Sequence, residues 1–438
     1  MDIKGQLTEF ITQCQADSES ATHIMQLSLL DWASVTIAGQ DEPVAKIIRK
    51  QVEDEGGNEQ SFAIGLARKV PARSAALING TTSHALDYDD THFAYLGHPS
   101  VTVFPAVLAL ADKLGSNISE VQRAALVGLE VTTRIGIWLG RHHYRTGFHI
   151  TPTAGTFGAA AACANLLGLN SSQTRMALGL AASRASGVKE QFGTMGKPYH
   201  AGMAAAAGVD VTLLASRGFE AAQDGLAGAQ GFASTHHGEN NATAFDNLGT
   251  DWLYEGVSHK FHACCHGTHA MLEALEQIRD AHAFTVEEIL AIEVYTHPQY
   301  LKVCNIQNPA TGLEVKFSYR LIAAMYLLGI DTARPDSFND KICMNAKAMA
   351  LRKITSVMAD ECLSDSQARV IVKLSSGSVN EAHYDLLNLK EPHEREVKIR
   401  AKASSLLGNA KAIELWKLIS GFQMPSSSSI ARSLLMPR

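Results

Sequence analysis

The 438-residue chain is 46% apolar and 19% charged, ordinary for a well-buried globular protein, and it exceeds what one hydrophobic core usually serves, so two domains are expected. A formal net charge of −6 argues against nucleic acid or an anionic membrane surface as the main partner, while a local basic pocket for a small anion stays open. Met1 to Gln6 shows no basic region leading into an apolar stretch, and seven cysteines without paired spacing fit free thiols, so a cytoplasmic location is expected.

In chain order, Ile24 to Ala38 sets apolar residues at helical spacing, and Val103 to Leu114 does so again before Gly115. Ala124 to Leu139, Gly155 to Leu167, Thr174 to Ser186 and Gly202 to Ser216 continue the pattern. Leu167-Gly168 and Arg217-Gly218 suit left-handed helix C-caps. The run from Thr153 to Leu169 is short and dominated by Ala, Gly and Thr, which reads as a buried helix and not a membrane span. So much Ala and Gly predicts closely approaching helices in a bundle.

Near His259 the character changes. Glu287 to Leu290 reads as a helix start, and Ala291 to Thr296 alternates as a strand. Lys316 to Gly329 is helical, and Arg369 to Leu374 is a second strand before a turn at Ser375-Ser376-Gly377. After about Val397 helix returns through Ala401 to Leu407 and Lys411 to Ile419, and Pro425 to Ser429 reads as surface coil. The fold class is therefore mainly α: a large all-helical domain of residues 1–258 and 398–438, with a smaller α+β domain of residues 259–397 inserted between its two parts.

The densest chemistry lies in Leu86-Asp87-Tyr88-Asp89-Asp90-Thr91-His92, followed by His98-Pro99-Ser100. A calcium loop would need Gly and an acid where His92 and His98 stand. Each Asp is either a cap for nearby amides or the orienting partner of an imidazole. Pro99 holds His98 off the helical region, at an element boundary that suits an exposed imidazole. His149 precedes a helix opening at Thr151-Pro152, whose unpaired N–H groups and positive dipole end favour a carboxylate. Lys197, before Pro198, reads as part of an irregular segment and would hold a carboxylate as a point charge if it faced the histidines. His259, His262, His266 and His269, with Cys264 and Cys265, have spacings that could suit zinc, but no second ligand cluster accompanies them, so no metal is expected. Dinucleotide, P-loop and serine-hydrolase motifs are absent, and no cofactor is expected.

Taken together these segments resemble the MmgE/PrpD family, which includes 2-methylcitrate dehydratase, cis-aconitate decarboxylase and iminodisuccinate epimerase. The carriers are Asn79-Gly80, His84 to Thr91, His98-Pro99-Ser100, Gly147-Phe148-His149, Gly155-Thr156, Lys197-Pro198, His200-Ala201-Gly202, Phe261 to His269 and Lys316 to Tyr319. The resemblance implies a homodimer with a metal-free site between helical domain and lid, binding a small carboxylate substrate. It also implies the site residues: His98, His149, Asp87 and His269 as catalytic groups, and Thr91, Lys197 and Tyr319 as carboxylate-binding groups. His98 and His149 would be the acid–base pair, with Asp87 orienting an imidazole; His262 and His266 compete with His269 for the place facing the cleft.

The implied activity is a cofactor-independent lyase acting next to a carboxylate of a tri- or dicarboxylic acid, with dehydration ranked ahead of decarboxylation. An epimerase exchanging an α-proton of an imino- or aminodicarboxylate is the runner-up, and a non-catalytic ligand-binding homologue is the rival of another class. Which acid is the natural substrate stays open.

Overall fold

The computed structural model describes residues 2–388, 391–421 and 429–436. The coil expected over Pro425 to Ser429 lies outside the described residues except for Ser429, whose hydroxyl caps the last helix by accepting from the Arg432 amide. The chain divides into two compact units: residues 1–259 with 391–438, and residues 260–390.

The first unit is helical. It runs through α1 (Ile3–Gln13), α2 (Glu19–Ala38), α3 (Pro43–Glu55), α4 (Ala72–Ser83), α5 (Ser100–Leu114), α6 (Ile118–Thr146), α7 (Ile150–Leu167), α8 (Ser171–Ala181) and α9 (Gly196–Ser216). Asn117 with Glu120 and Asn170 with Gln173 form capping boxes that start α6 and α8. The expected helix end at Leu139 corresponds to a kink in α6, where Gly140 takes φ +74°. The helix expected over Thr174 to Ser186 begins earlier and ends at Ala181. Leu7, Val131, Ile135, Trp138, Phe157 and Phe232 are buried together in the core of this unit.

Small residues set the helix spacing. A Cβ on Gly158 of α7 would fall 2.6 Å from the Gly128 carbonyl oxygen of α6, so the two backbones can meet only because neither position bears a side chain. Gly80 of α4 and Gly202 of α9 make the same kind of contact: a Cβ on Gly80 would lie 2.9 Å from the Gly202 Cα.

The second unit begins with α10 (His269–Ala281) and holds a four-stranded sheet of order β2-β1-β3-β4. Here β1 is Ile289–Thr296, β2 Thr355–Ala359, β3 Gln367–Leu374 and β4 Val379–Asp385; β1 pairs parallel with β2 and antiparallel with β3, and β3 antiparallel with β4. The register sets Val294 against Val357 and Val370, and alternate residues of β3 are buried, as period-2 patterning requires. α10 packs on β3 and β4, and α11 (Tyr319–Leu327) packs on α10 and β2. α12 (Ala346–Lys353) leads into β2. The helix start expected at Glu287 to Leu290 is corrected: Val286–Glu288 is one tight turn capped by Thr285, and the strand already begins at Ile289. The helix expected from Lys316 starts at Tyr319, because the Ser318 side chain caps it.

The chain then re-enters the helical unit through α13 (Pro392–Leu407), α14 (Asn409–Ser420) and α15 (Ile430–Leu435). Pro392 opens α13, so residues 391–397, expected in the smaller domain, fall in the helical unit. α13 and α14 pack on α2, and α15 packs on α5 and α2. Lys402 of α13 is buried, ion-paired with Asp31 at 2.5 Å and donating to the Tyr88 carbonyl at 2.7 Å. That tie anchors the loop after α4 from below. No helix among the described residues is long and apolar enough to cross a membrane.

Candidate active site

Four helix ends of the first unit converge. The Gly80–Gly202 contact brings the C-terminal end of α4, followed by His84, to the start of α9, where Lys197 and His200 stand. A Cβ on Gly155 would lie 2.5 Å from Thr102 Oγ1, so α5 and α7 are equally close and their starts lie side by side. Thr151 on the first turn of α7 accepts a hydrogen bond from the His98 amide at 3.1 Å. The starts of α5, α7 and α9 therefore bring positive dipole ends toward one region, although the first two amides of α9 are already bonded to Thr194.

The structure brings Asp87, His98, His149 and Lys197 together there. Asp87 has φ +50°, a left-handed conformation that Asp tolerates better than most residues, and its half-exposed carboxylate lies 2.7 Å from Lys197 Nζ and 3.8 Å from His98 Nε2. His149 occupies the N-cap position of α7 without a side-chain cap; its Nδ1 lies 3.1 Å from Nδ1 of His200, so one ring donates and the other accepts. Phe192 stands edge-on to His149 at 4.9 Å, with Lys197 Nζ 5.5 Å from its ring centre. Thr91 is pinned by a backbone pair with Ser258, at 2.8 and 2.7 Å. Lys197 lies in the first turn of α9, not on the irregular segment expected, because a proline at the third helical position removes an N–H that has no intrahelical acceptor.

His84, Asp89 and His200 also stand in this region, although none of them is among the expected site residues. Asp89 is fully buried between two imidazoles, 2.8 Å from His84 Nδ1 and 2.7 Å from His98 Nδ1, and His200 partners His149. Asp90 takes the capping role: it accepts from the Ser100 hydroxyl at 2.5 Å and amide at 3.4 Å, at the start of α5.

Burial dominates the electrostatics. It pushes His98 down to about 4, against the opposing pull of Asp89 and with help from His84 and Lys197. His149 is held well below the usual imidazole range by burial, then by Lys197, His84, His98 and His200. Both rings are therefore neutral at neutral pH. Burial also raises the Asp89 carboxyl, but His84 and His98 outweigh it and hold it well below the usual range. Asp90 behaves oppositely: burial lifts it to about 7, with Asp31 and Asp89 adding and Ser100 opposing.

His84, Asp87, Asp89 and His98 present donor atoms within 4.8 Å of one another, a span that could take a metal ion. In the structure these donors face each other directly, and the Lys197 ammonium already supplies the cluster with a cation at Asp87.

The other two expected residues belong to the second unit. His269 opens α10, is 1% exposed, and has His266 and His262 rings at 4.8 and 5.2 Å. Burial, then His266, His262 and Lys260, hold it well below the usual imidazole range, and its Nε2 has no hydrogen-bond partner among the described residues. His262 is tied through Nδ1 to Thr332 at 2.7 Å. The Tyr319 hydroxyl is engaged: it donates to the Gly267 carbonyl at 2.6 Å and lies 2.9 Å from Thr296 Oγ1. It braces the segment that carries His266 and His269, and donating to a carboxylate would require exchanging that bond.

Comparison with known proteins gives a consistent picture. The family model for the MmgE/PrpD N-terminal domain matches residues 5–244 and that for the MmgE/PrpD C-terminal domain matches residues 262–413. The chain is 27% identical over 405 residues to a cis-aconitate decarboxylase of Aspergillus terreus, covering 85% of this chain and 83% of that one. It is 26% identical over 387 residues to the Homo sapiens cis-aconitate decarboxylase, covering 84% and 80%. It is also 27% identical over 297 residues to the cis-aconitate decarboxylase-like protein oryM of Aspergillus oryzae, covering 64% of this chain and 62% of that relative.

Proposed function

This chain belongs to the MmgE/PrpD family, and from that membership we propose that it is a lyase acting next to a carboxylate of a small tri- or dicarboxylic acid, with a cis-aconitate-like acid as the first substrate to test. The observation that carries the reading is the meeting of two neutral, buried imidazoles with an ammonium at three helix starts. An anion entering there meets Lys197 and positive helix-dipole ends, and then two groups able to move a proton.

In the proposed reaction Lys197 and Thr91 hold substrate carboxylates, while His98 and His149 exchange protons with the reacting carbon. Dehydration uses one imidazole to remove the proton next to a carboxylate and protonates the leaving hydroxyl. Decarboxylation breaks a C–C bond instead, releasing CO₂, and the electron pair left on carbon takes a proton from an imidazole that has first picked one up from solvent as the anionic substrate binds. The charge that develops spreads toward the carboxylate held by Lys197, where a cation stabilises it most. A positioned acid or base is worth roughly 10²–10⁴-fold in rate. His269, Tyr319 and dimer formation enter as parts of the same proposal.

The names of the relatives favour decarboxylation over the dehydration ranked first from the sequence. Proton NMR of the purified protein in D₂O with cis-aconitate, 2-methylcitrate, citrate and an iminodisuccinate separates the reactions. CO₂ loss or new vinyl signals from one acid support the lyase and name its substrate. Deuterium entering an α-position without other change makes the protein an epimerase. Silence from all four acids removes the support for a lyase of this class.

A further inference from the structure

The His98 ring has two nitrogens, and only one of them faces Lys197 and Asp87. Its Nε2 points toward Asp87 at 3.8 Å, while its Nδ1 lies 2.7 Å from Oδ2 of Asp89. The other oxygen of the same carboxylate, Oδ1, accepts from His84 Nδ1 at 2.8 Å. Asp89 and His84 are 0% and 1% exposed, so water does not share these bonds. The rings of His84 and His98 sit edge to face, 4.6 Å between centres. The Asp89–His98 contact is bent away from a straight hydrogen bond, yet two bare lone pairs do not approach to that distance, so a proton lies between them.

We propose that Asp89 is a positioning residue that clamps His84 and His98 through one shared carboxylate and holds both rings as Nδ1–H tautomers. An ionised carboxylate accepts and cannot donate, so both facing nitrogens must carry hydrogen. The Nε2 of His98 is then the bare, basic nitrogen on the open side, facing Asp87 and Lys197. His84 gains a bare Nε2 of its own, buried and without a hydrogen-bond partner among the described residues. The low range in which the two imidazoles hold the Asp89 carboxyl agrees with this arrangement. The consequence for turnover rests on the reading of His98 as an acid–base group; the tautomer assignment does not.

The test follows from what an amide can do. Asparagine in place of Asp89 offers one acceptor oxygen and one donor NH₂, so it can accept from only one ring and must donate to the other. Long-range ¹⁵N–¹H NMR of histidine-labelled protein reads the tautomers directly, with His84→Ala and His98→Ala assigning the signals. The expected result is Nδ1–H for both rings in the wild type, and a switch of one ring to Nε2–H in Asp89→Asn. Nε2–H for His98 in the wild type overturns the proposal, and so does a folded Asp89→Asn protein with both tautomers unchanged. The wild-type spectrum needs no variant, so a failure of Asp89→Asn to fold leaves the test intact. With substrate, kcat of Asp89→Asn should fall by roughly 10²–10⁴-fold with KM little changed. If His98→Ala keeps full activity, the functional reading falls, and the spectra still decide the clamp.

Discussion

Asp87 and Lys197 meet as an ion pair, Oδ2 to Nζ at 2.7 Å, although one follows α4 and the other opens α9. The Asp87 side chain is 49% exposed, so a substrate carboxylate can reach the ammonium by competing with Asp87. Lys197→Met should therefore raise KM or Kd for the carboxylate substrate, and Lys197→Arg should recover part of the loss. A charged hydrogen bond of about 1.5–3 kcal/mol corresponds to roughly 10–100-fold. Titration of both variants by calorimetry checks this; unchanged affinity in Lys197→Met would exclude the ammonium from substrate binding.

His98 sets the expected pH dependence of turnover. Its pKa in the folded protein is depressed by burial to about 4, so the ring is the free base above that pH and loses its basicity only as pH falls through 4. The acid limb of kcat/KM should lie near pH 4 and not near the ordinary imidazole value of about 6.5. Brief assays after a pH jump separate this limb from acid unfolding. A limb near 6.5 would show that another group, or a solvated His98, governs the rate.

Asp90 carries the opposite sign. Its folded pKa is raised by burial to about 7 against 3.8 in the free acid, so its stabilising contribution is complete below 3.8 and is lost as pH rises through 7. Asp90→Asn, neutral throughout, should gain on the wild type by roughly 2–4 kcal/mol between pH 5 and pH 9. Thermal melts of both proteins across that range give the difference directly, and any steric offset cancels because it does not vary with pH. A difference that stays flat with pH would mean Asp90 is not buried as an acid.

The two central strands and most helices are legible in the sequence because their patterns are local. β1 and β3 alternate apolar and polar residues with a buried set on one face. β4 escapes notice because Asn380, Glu381, His383 and Asp385 give an edge strand little apolar signal, and β2 is only five residues long and follows a helix directly. The site divides the same way. His98, His149 and Lys197 stand at element boundaries marked by proline, which a reader can find. The shared carboxylate of Asp89 has no such mark: His84, Asp89 and His98 fit no helical or strand period, and only the turn after α4 brings them into contact. Burial is equally invisible. The proline before α5 suggests an exposed imidazole, but the ring is 8% exposed because α4 and α7 close over it.

Arg134 and Glu130 form a fully buried pair on α6, Nε to Oε1 at 2.5 Å. The guanidinium also donates to the carbonyls of Ala244, Asp246 and Asp251, and the carboxylate accepts from the Leu253 and Tyr254 amides. The pair thus stitches residues 244–254 to α6. Arg134→Met leaves a buried carboxylate without its cation and should destabilise by about 3–5 kcal/mol. Urea unfolding measures it, and a loss below about 1 kcal/mol would mean that water or relaxation satisfies Glu130.

The Gly202 contact is what aligns the site, so activity should be more sensitive to it than stability is. A Cβ at Gly202 would lie 2.3 Å from the Leu77 carbonyl oxygen and 2.2 Å from Thr81 Oγ1. The threonine can rotate away, but the carbonyl belongs to the backbone of α4 and cannot, so α4 and α9 must part. Overpacking of this kind costs about 1–3 kcal/mol, which a domain with ordinary stability tolerates. The displacement separates His84 from Lys197 and His200, and a misplacement of about 1 Å can lower the rate on the order of 10²-fold. Gly202→Ala should therefore remain folded, with a modestly lower Tm and a much lower kcat/KM. Full activity beside a lowered Tm would show that the α4–α9 crossing supports the fold without setting the geometry of the site.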